Sequence, residues 1–249
     1  MRNPTEIGRH AGRMVCTTRF LLATSVLLIS SSAFAQQSYV GRFDAYAGYM
    51  YLDSPHIKLA ENGFHTQVGA RVTNWLSLGF DYCIGTGNTS INGALLTPAL
   101  QQQLGAQLAQ LIAGGVIPST YVLNVPLDSK TETYSAGPQI SYRHFKAVTL
   151  FIRPDLGAMH ETAIPQVPPS DVIAQAIVQQ LAPSGKKMDW VAFYGFGGGV
   201  DVGITKHFGV RIQADLVHDH LFNDLLKDGR NTVRFSIGPA VQWGHNVAK

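Results

Sequence analysis

Cysteine is almost absent from this sequence, with Cys16 and Cys83 the only two. Cys16 falls in a segment that reads as a cleaved leader, so Cys83 is left alone and an intrachain disulfide is excluded. The spacing suggests a small inner-face filler for Cys83 rather than a metal ligand or a reactive thiol. Charge is also scarce, at 14% of residues against roughly a quarter in ordinary soluble domains. The first 35 residues hold four arginines and one glutamate, and the remainder carries 15 basic and 15 acidic side chains. A balanced chain without a basic stripe argues against a nucleic-acid partner. Long hydrophobic runs are missing after Ala35, and none approaches the roughly 18 residues of a membrane helix. A chain of this kind can enter a membrane only as a closed barrel, which satisfies every backbone group in lipid. Phosphate-loop and zinc-finger patterns are absent. Gly195-Phe196-Gly197-Gly198-Gly199 fails the G-x-G-x-x-G spacing and lies inside a strand pattern with no helix after it. No cofactor or metal is expected.

Residues 1–35 read as a secretory signal peptide. A basic segment ends at Arg19, the apolar run Phe20–Ile29 follows, and Ala33-Phe34-Ala35 supplies the cleavage pattern. Met14 is a second candidate start. Residues 36–249 then form one domain.

The domain is patterned with a period of two. The stretch Trp190–Leu216 is the clearest case. Tyr194, Phe196, Val200, Val202 and Ile204 share one face of its first arm, opposite Gly195, Gly197, Gly199 and Asp201. In its second arm Val210, Ile212, Ala214 and Leu216 oppose Arg211, Gln213 and Asp215. Alternation of this kind across a short connection predicts an antiparallel hairpin. Its polar face mixes glycines with charges of both signs, and its apolar face is aromatic and β-branched. That combination suits lipid outside and a packed polar interior.

The same grammar recurs along the chain. Strands are predicted over Val40–Leu52, Gly63–Val72, Trp75–Gly85, Thr131–Arg143, Ala147–His160, the two arms above, and Thr232–Gly244. Short turns are expected after the second, fourth and sixth strands, and longer loops after the first, third, fifth and seventh. The interior-facing charges are Arg42, Arg71, Arg143, Arg153, Arg211 and Arg234 against Asp44, Asp81, Asp155, Asp201 and Asp215. These eleven side chains are expected to pair into one buried network. Tyr49, Tyr51, Trp75, Tyr82, Tyr142, Trp190 and Trp243 face outward near strand ends, as an interfacial aromatic belt requires.

Three features interrupt the pattern. Residues Thr86–Lys130 and Glu161–Met188 read as loops that each carry a helix. Thr97 and Pro98 start one that runs to about Ala113 before Gly114-Gly115. Ser170 caps the other, near 170–182, with Pro183 as its stop. Pro138, Pro154 and Pro239 fall inside strands, where a missing N–H predicts a bulge or a local break. His218-Asp219-His220, with His160, suggests a metal site or a His/Asp hydrolase pair at the rim. No serine nucleophile or third ligand is fixed by spacing, so polar rim residues are the expected reading and the chain is not expected to be an enzyme.

The strand count, together with AGPQISYRHF, GFGGGVDVGI and GVRIQADLVHDHLF, resembles the small eight-stranded bacterial outer-membrane β-barrel family. The OmpA transmembrane domain and OmpX belong to that class. The resemblance covers Gly41–Gly244. It implies an all-β, eight-stranded antiparallel up-and-down transmembrane barrel with short helices in two extracellular loops. It further implies location in the bacterial outer membrane, with outer-membrane lipid and the barrel assembly machinery as partners. The expected function is a structural or surface-binding role through the long loops, toward a surface ligand the sequence does not identify. The alternatives are a narrow porin or transporter of small solutes, an outer-membrane lipid-modifying enzyme, and a soluble lipocalin-like carrier.

Overall fold

The computed structural model describes residues 37–227 and 229–248, and the expected leader with its cleavage site lies outside them. Eight strands run in chain order around a closed ring: β1 (Gly41–Ser54), β2 (Leu59–Arg71), β3 (Leu76–Asn92), β4 (Asn124–Tyr142), β5 (Val148–Pro165), β6 (Lys187–Gly203), β7 (Phe208–Asp219) and β8 (Arg230–Asn246). Each pairs antiparallel with its sequence neighbour, and β8 closes on β1 through pairs such as Tyr49 with Ile237. Two helices stand outside the ring, α1 (Pro98–Ala113) and α2 (Val172–Leu181).

Alternation decides what faces where. Phe80, Ile152, Phe196, Ile212 and Phe235 point outward and are about half exposed, while Gln67, Asp81, Arg153, Gln213 and Arg234, on the inner face of the ring, are buried. This inversion of an ordinary soluble domain is stable only when the outer face meets hydrocarbon. Aromatic rings gather at both ends of the apolar belt. Tyr82, Tyr134, Trp190 and His160 form one contiguous group, with His160 stacked 4.5 Å from Trp190. Phe43 and Trp243 meet at 6.1 Å toward the other end, where Tyr142 also packs on Phe145.

Several elements depart from the sequence expectation. The second to sixth strands and the eighth are longer: β2 starts at Leu59 and β8 at Arg230, 86–92 and 124–130 are strand rather than loop, and β5 and β6 extend to Pro165 and back to Lys187. Outside the bilayer the exposed face turns polar, as at Asp128 and Lys130, while Ile91, Val125 and Leu127 pack on the cap, so the belt's alternation does not mark these stretches. The connection after β1 is short, a single 3-10 turn at Pro55–Ile57 followed by Lys58 in the left-handed region. The cap of α2 is Asp171, whose side chain accepts from the Ala174 N–H at 2.9 Å, and not Ser170.

The prolines produce gaps rather than bulges. Pro138 and Pro154 face each other across β4 and β5, where pairing lapses between Ala136–Leu156 and Ile140–Ile152 and then resumes in the same register. Pairing between β1 and β8 lapses likewise beside Pro239, between Tyr46–Ala240 and Tyr49–Ile237. Placing two prolines opposite each other confines both missing donors to one ladder, and the inside–outside parity is kept.

Candidate functional site

The lumen holds three tiers of charge. In the middle tier Arg153 bridges Asp81 at 2.7 Å and Asp155 at 2.9 Å, and Arg234 meets Asp215 at 3.0 Å. Arg234 also donates to Thr133 Oγ1 and to Cys83 Sγ, both at 3.1 Å, which gives Cys83 its place as a buried inner-face acceptor. Toward the short-turn end Arg211 joins Asp44 at 3.1 Å and Asp201 at 2.6 Å, with its guanidinium over the Phe151 ring. Arg71 lies 3.5 Å from Asp44. Nine of the eleven expected charges therefore make salt bridges. The other two differ in kind. Arg42 is exposed next to the register shift between Gly41 and Phe43, and has no salt bridge among the described residues. Arg143 lies just past the end of β4 and bonds neutral oxygens instead, the Asn74 carbonyl at 2.8 Å and Thr149 Oγ1 at 2.9 Å.

A third tier was not anticipated. Arg230 pairs with Glu161 at 2.7 Å and with Asp219 at 3.0 Å, and Glu61 accepts from Ser129 and Thr131 at 2.7 and 3.0 Å. Glu61, Glu161 and Arg230 belong to the strand extensions that read as loop. His65 adds a buried imidazole to the middle tier, with Nδ1 3.0 Å from Ser236 Oγ and Nε2 3.6 Å from Asp81.

Above this tier the barrel is stoppered by apolar side chains. The segment after β7, expected as one of the longer loops, turns Leu221, Phe222 and Leu226 inward against Ile57, Leu59, Met159 and Phe193. Asp219 and Asp189 hold the turn by accepting from the N–H groups of Leu221 and Phe222, at 3.0 and 2.6 Å. The polar Asn223 and Asp224 concealed a Leu-Phe-x-x-Leu-Leu spacing that carries the signal. The stopper is tied to the loop before α1, since Thr97 N–H donates to Leu225 O and Lys227 N–H to Leu95 O. Leu104 of α1 and Ala174 and Ile177 of α2 then pack with Leu96 and Leu123 as an outer layer. Tyr121 crosses to Asp171, and desolvation together with that carboxylate pushes its phenol up to about 12. Between stopper and helices lies an apolar cavity of about 110 Å³, lined by Ile57, Leu127, Ile177, Leu181, Phe222 and Leu226 among others.

The rim histidines do not converge. His160 pairs with Glu132 at 3.3 Å and stacks on Trp190, whereas His218 bonds Asn231 at 2.8 Å and packs on His220. No group of three or more metal-ligating side chains occurs among the described residues.

No family model matches the chain, and neither does any curated protein. Solved structures do. Neisserial surface protein A aligns with a TM-score of 0.50 at 12% identity, over 81% of this chain and 96% of its own. The outer membrane protein OprG from Pseudomonas aeruginosa aligns with a TM-score of 0.48 at 10% identity, over 84% and 99%. Ail, the attachment invasion locus protein of Yersinia pestis, gives 0.43 at 14% identity, over 81% and 97%. At such identities the likeness concerns architecture. The likeness to Neisserial surface protein A, together with the belt and the closed ring, gives the chain the fold of the small eight-stranded outer-membrane β-barrels.

Proposed function

We propose that this chain is an integral outer-membrane barrel with a closed lumen, and that its activity resides in the cap formed by its extracellular loops. The observation that carries this reading is the filled lumen. Arg153, Arg211 and Arg234 are each 1% exposed and bound to carboxylates. An eight-stranded interior is only wide enough for its own side chains. A solute passing through would have to part buried ion pairs, each of which costs several kcal/mol to leave unmatched. The apolar stopper lies across the same path. The cap is well suited to a surface role, since its loops are bonded to one another and present Val116, Val122 and Val172 to solvent. On this reading the partners are outer-membrane lipid along the belt, the barrel assembly machinery during insertion, and a ligand at the cap.

Single-channel recording of the purified protein in planar bilayers tests the reading. A flat current trace is expected at all holding potentials. Discrete, reproducible openings would overturn the closed lumen and favour a narrow solute channel.

A further inference from the structure

At the short-turn end the barrel opens into a polar vestibule of about 590 Å³, lined by charged ends of several strands. Among the described residues five cations line it, Arg71, Arg143, Lys146, Lys206 and Arg211, against two carboxylates, Asp44 and Asp201. Arg211 engages both carboxylates, Asp44 at 3.1 Å and Asp201 at 2.6 Å. Arg71 shares Asp44 at the longer distance of 3.5 Å, and donates to the Gly41 carbonyl and to Gln242. Among the described residues Arg143 has only neutral acceptors: the Asn74 carbonyl, Thr149 and, at 3.4 Å, Gln37. Nε of Arg71 and Nη2 of Arg143 are buried N–H groups without an acceptor among the described residues. Burial and the neighbouring Arg71 lower the Arg143 guanidinium to about 10. Like charges are thus held side by side in a partly desolvated chamber, with the nearby carboxylates already taken.

We propose that this vestibule binds a small phosphate-type oxyanion between Arg71 and Arg143. Guanidinium forks match the oxygens of a phosphate, and charge-assisted bonds to them are the strong ones. Lys146 and Lys206, on the turns at the mouth, add a field that concentrates anions at the entrance. At about 30 Å³ per water the chamber has room for a hydrated dianion without moving protein atoms. The same chemistry is offered by a soluble phosphate compound and by a phospholipid headgroup of the inner leaflet.

The test is calorimetric titration of the full chain with inorganic phosphate, in a non-ionic detergent and at constant ionic strength set with chloride. Saturable binding is expected. Arg143→Gln should weaken it about tenfold, the order of one lost charge-assisted bond, with unheated gel migration checking that the barrel is intact. If that variant does not fold, Arg143→Lys serves, since it keeps the charge, loses the fork and should weaken binding by a smaller factor. Lack of saturation, or equal affinity in wild type and in whichever variant folds, would overturn the proposal. Repeating the titration in phosphatidylcholine vesicles distinguishes the sources, because that headgroup brings phosphate without net charge. Apparent affinity reduced about tenfold by competition assigns the site to headgroups, and unchanged affinity to a soluble phosphate. Either result supports the site.

Discussion

Arg153 is surrounded by three carboxylates, with Asp81 and Asp155 at 2.7 and 2.9 Å and Asp215 at 3.9 Å. Replacing it by methionine keeps the volume and strips these carboxylates of their shared counter-charge. Breaking a buried pair from one side costs about 3–5 kcal/mol. Arg153→Met should therefore lower the unfolding free energy, obtained from urea titration of the barrel, by an amount of that order. A change below about 1 kcal/mol, the range of an exposed pair, would mean that water already screens the site. Gly197 and Gly198 make a second comparison at this scale. A Cβ at Gly197 would run into the Asp215 carboxylate, while at Gly198 the nearest atom is the Phe151 carbonyl oxygen at 3.1 Å. Gly197→Leu should block refolding into detergent micelles, and Gly198→Ala should refold. Equal failure of both would mean that the tight approach of β6 to β5, and not the inside–outside division, controls these positions.

The two helices behave as a layer placed on the barrel, since they pack on each other and on the loops through Leu104, Ala174 and Ile177. Asp171 joins that layer twice, as the cap of α2 and as the acceptor for Tyr121. Losing a capping side chain costs about 1 kcal/mol. Asp171→Ala should raise hydrogen exchange across α2 while exchange in the strands stays as it was. Faster exchange in β4 and β5 as well would show cap and barrel to be one cooperative unit. The bounds of α1 were legible from Thr97, Pro98 and Gly114 because those signals are local and do not depend on solvent. The strand extensions were not legible, for a physical reason. Within the bilayer the outward positions must be apolar, so Phe80 and Ile84 stand out against Asp81 and Cys83. Beyond it, Thr86, Asn88 and Ser90 alternate with Gly85, Gly87 and Thr89, and neither face is distinguished. Glu61, Glu161 and Arg230, which lie in such extensions, went unread as a consequence. The stopper escaped because Asn223 and Asp224 break its apolar spacing.

Over the whole molecule the distribution of polarity decides the medium. A soluble carrier with a barrel fold keeps its apolar face inside, around a ligand. Here the inside holds arginines and carboxylates, and the outside carries Leu78, Phe80, Leu156, Phe196, Leu216 and Phe235, each from 48 to 71% exposed. Apolar surface costs about 25 cal/mol for each Å² left in water, so a continuous belt of such side chains is tolerated only in hydrocarbon or detergent. The ring also closes through β1 and β8, whose pairing joins residues about as far apart in sequence as the described chain allows. Unfolding must open that closure, so the barrel should be slow to unfold as well as membrane-bound. Two measurements follow from the same premise. Alkaline carbonate washing should leave the protein in the membrane pellet, and the unheated protein in dodecyl sulfate should migrate differently from the boiled one. Release by carbonate with no heat-dependent shift would return the molecule to water, and the tiers of buried charge would then need a different explanation.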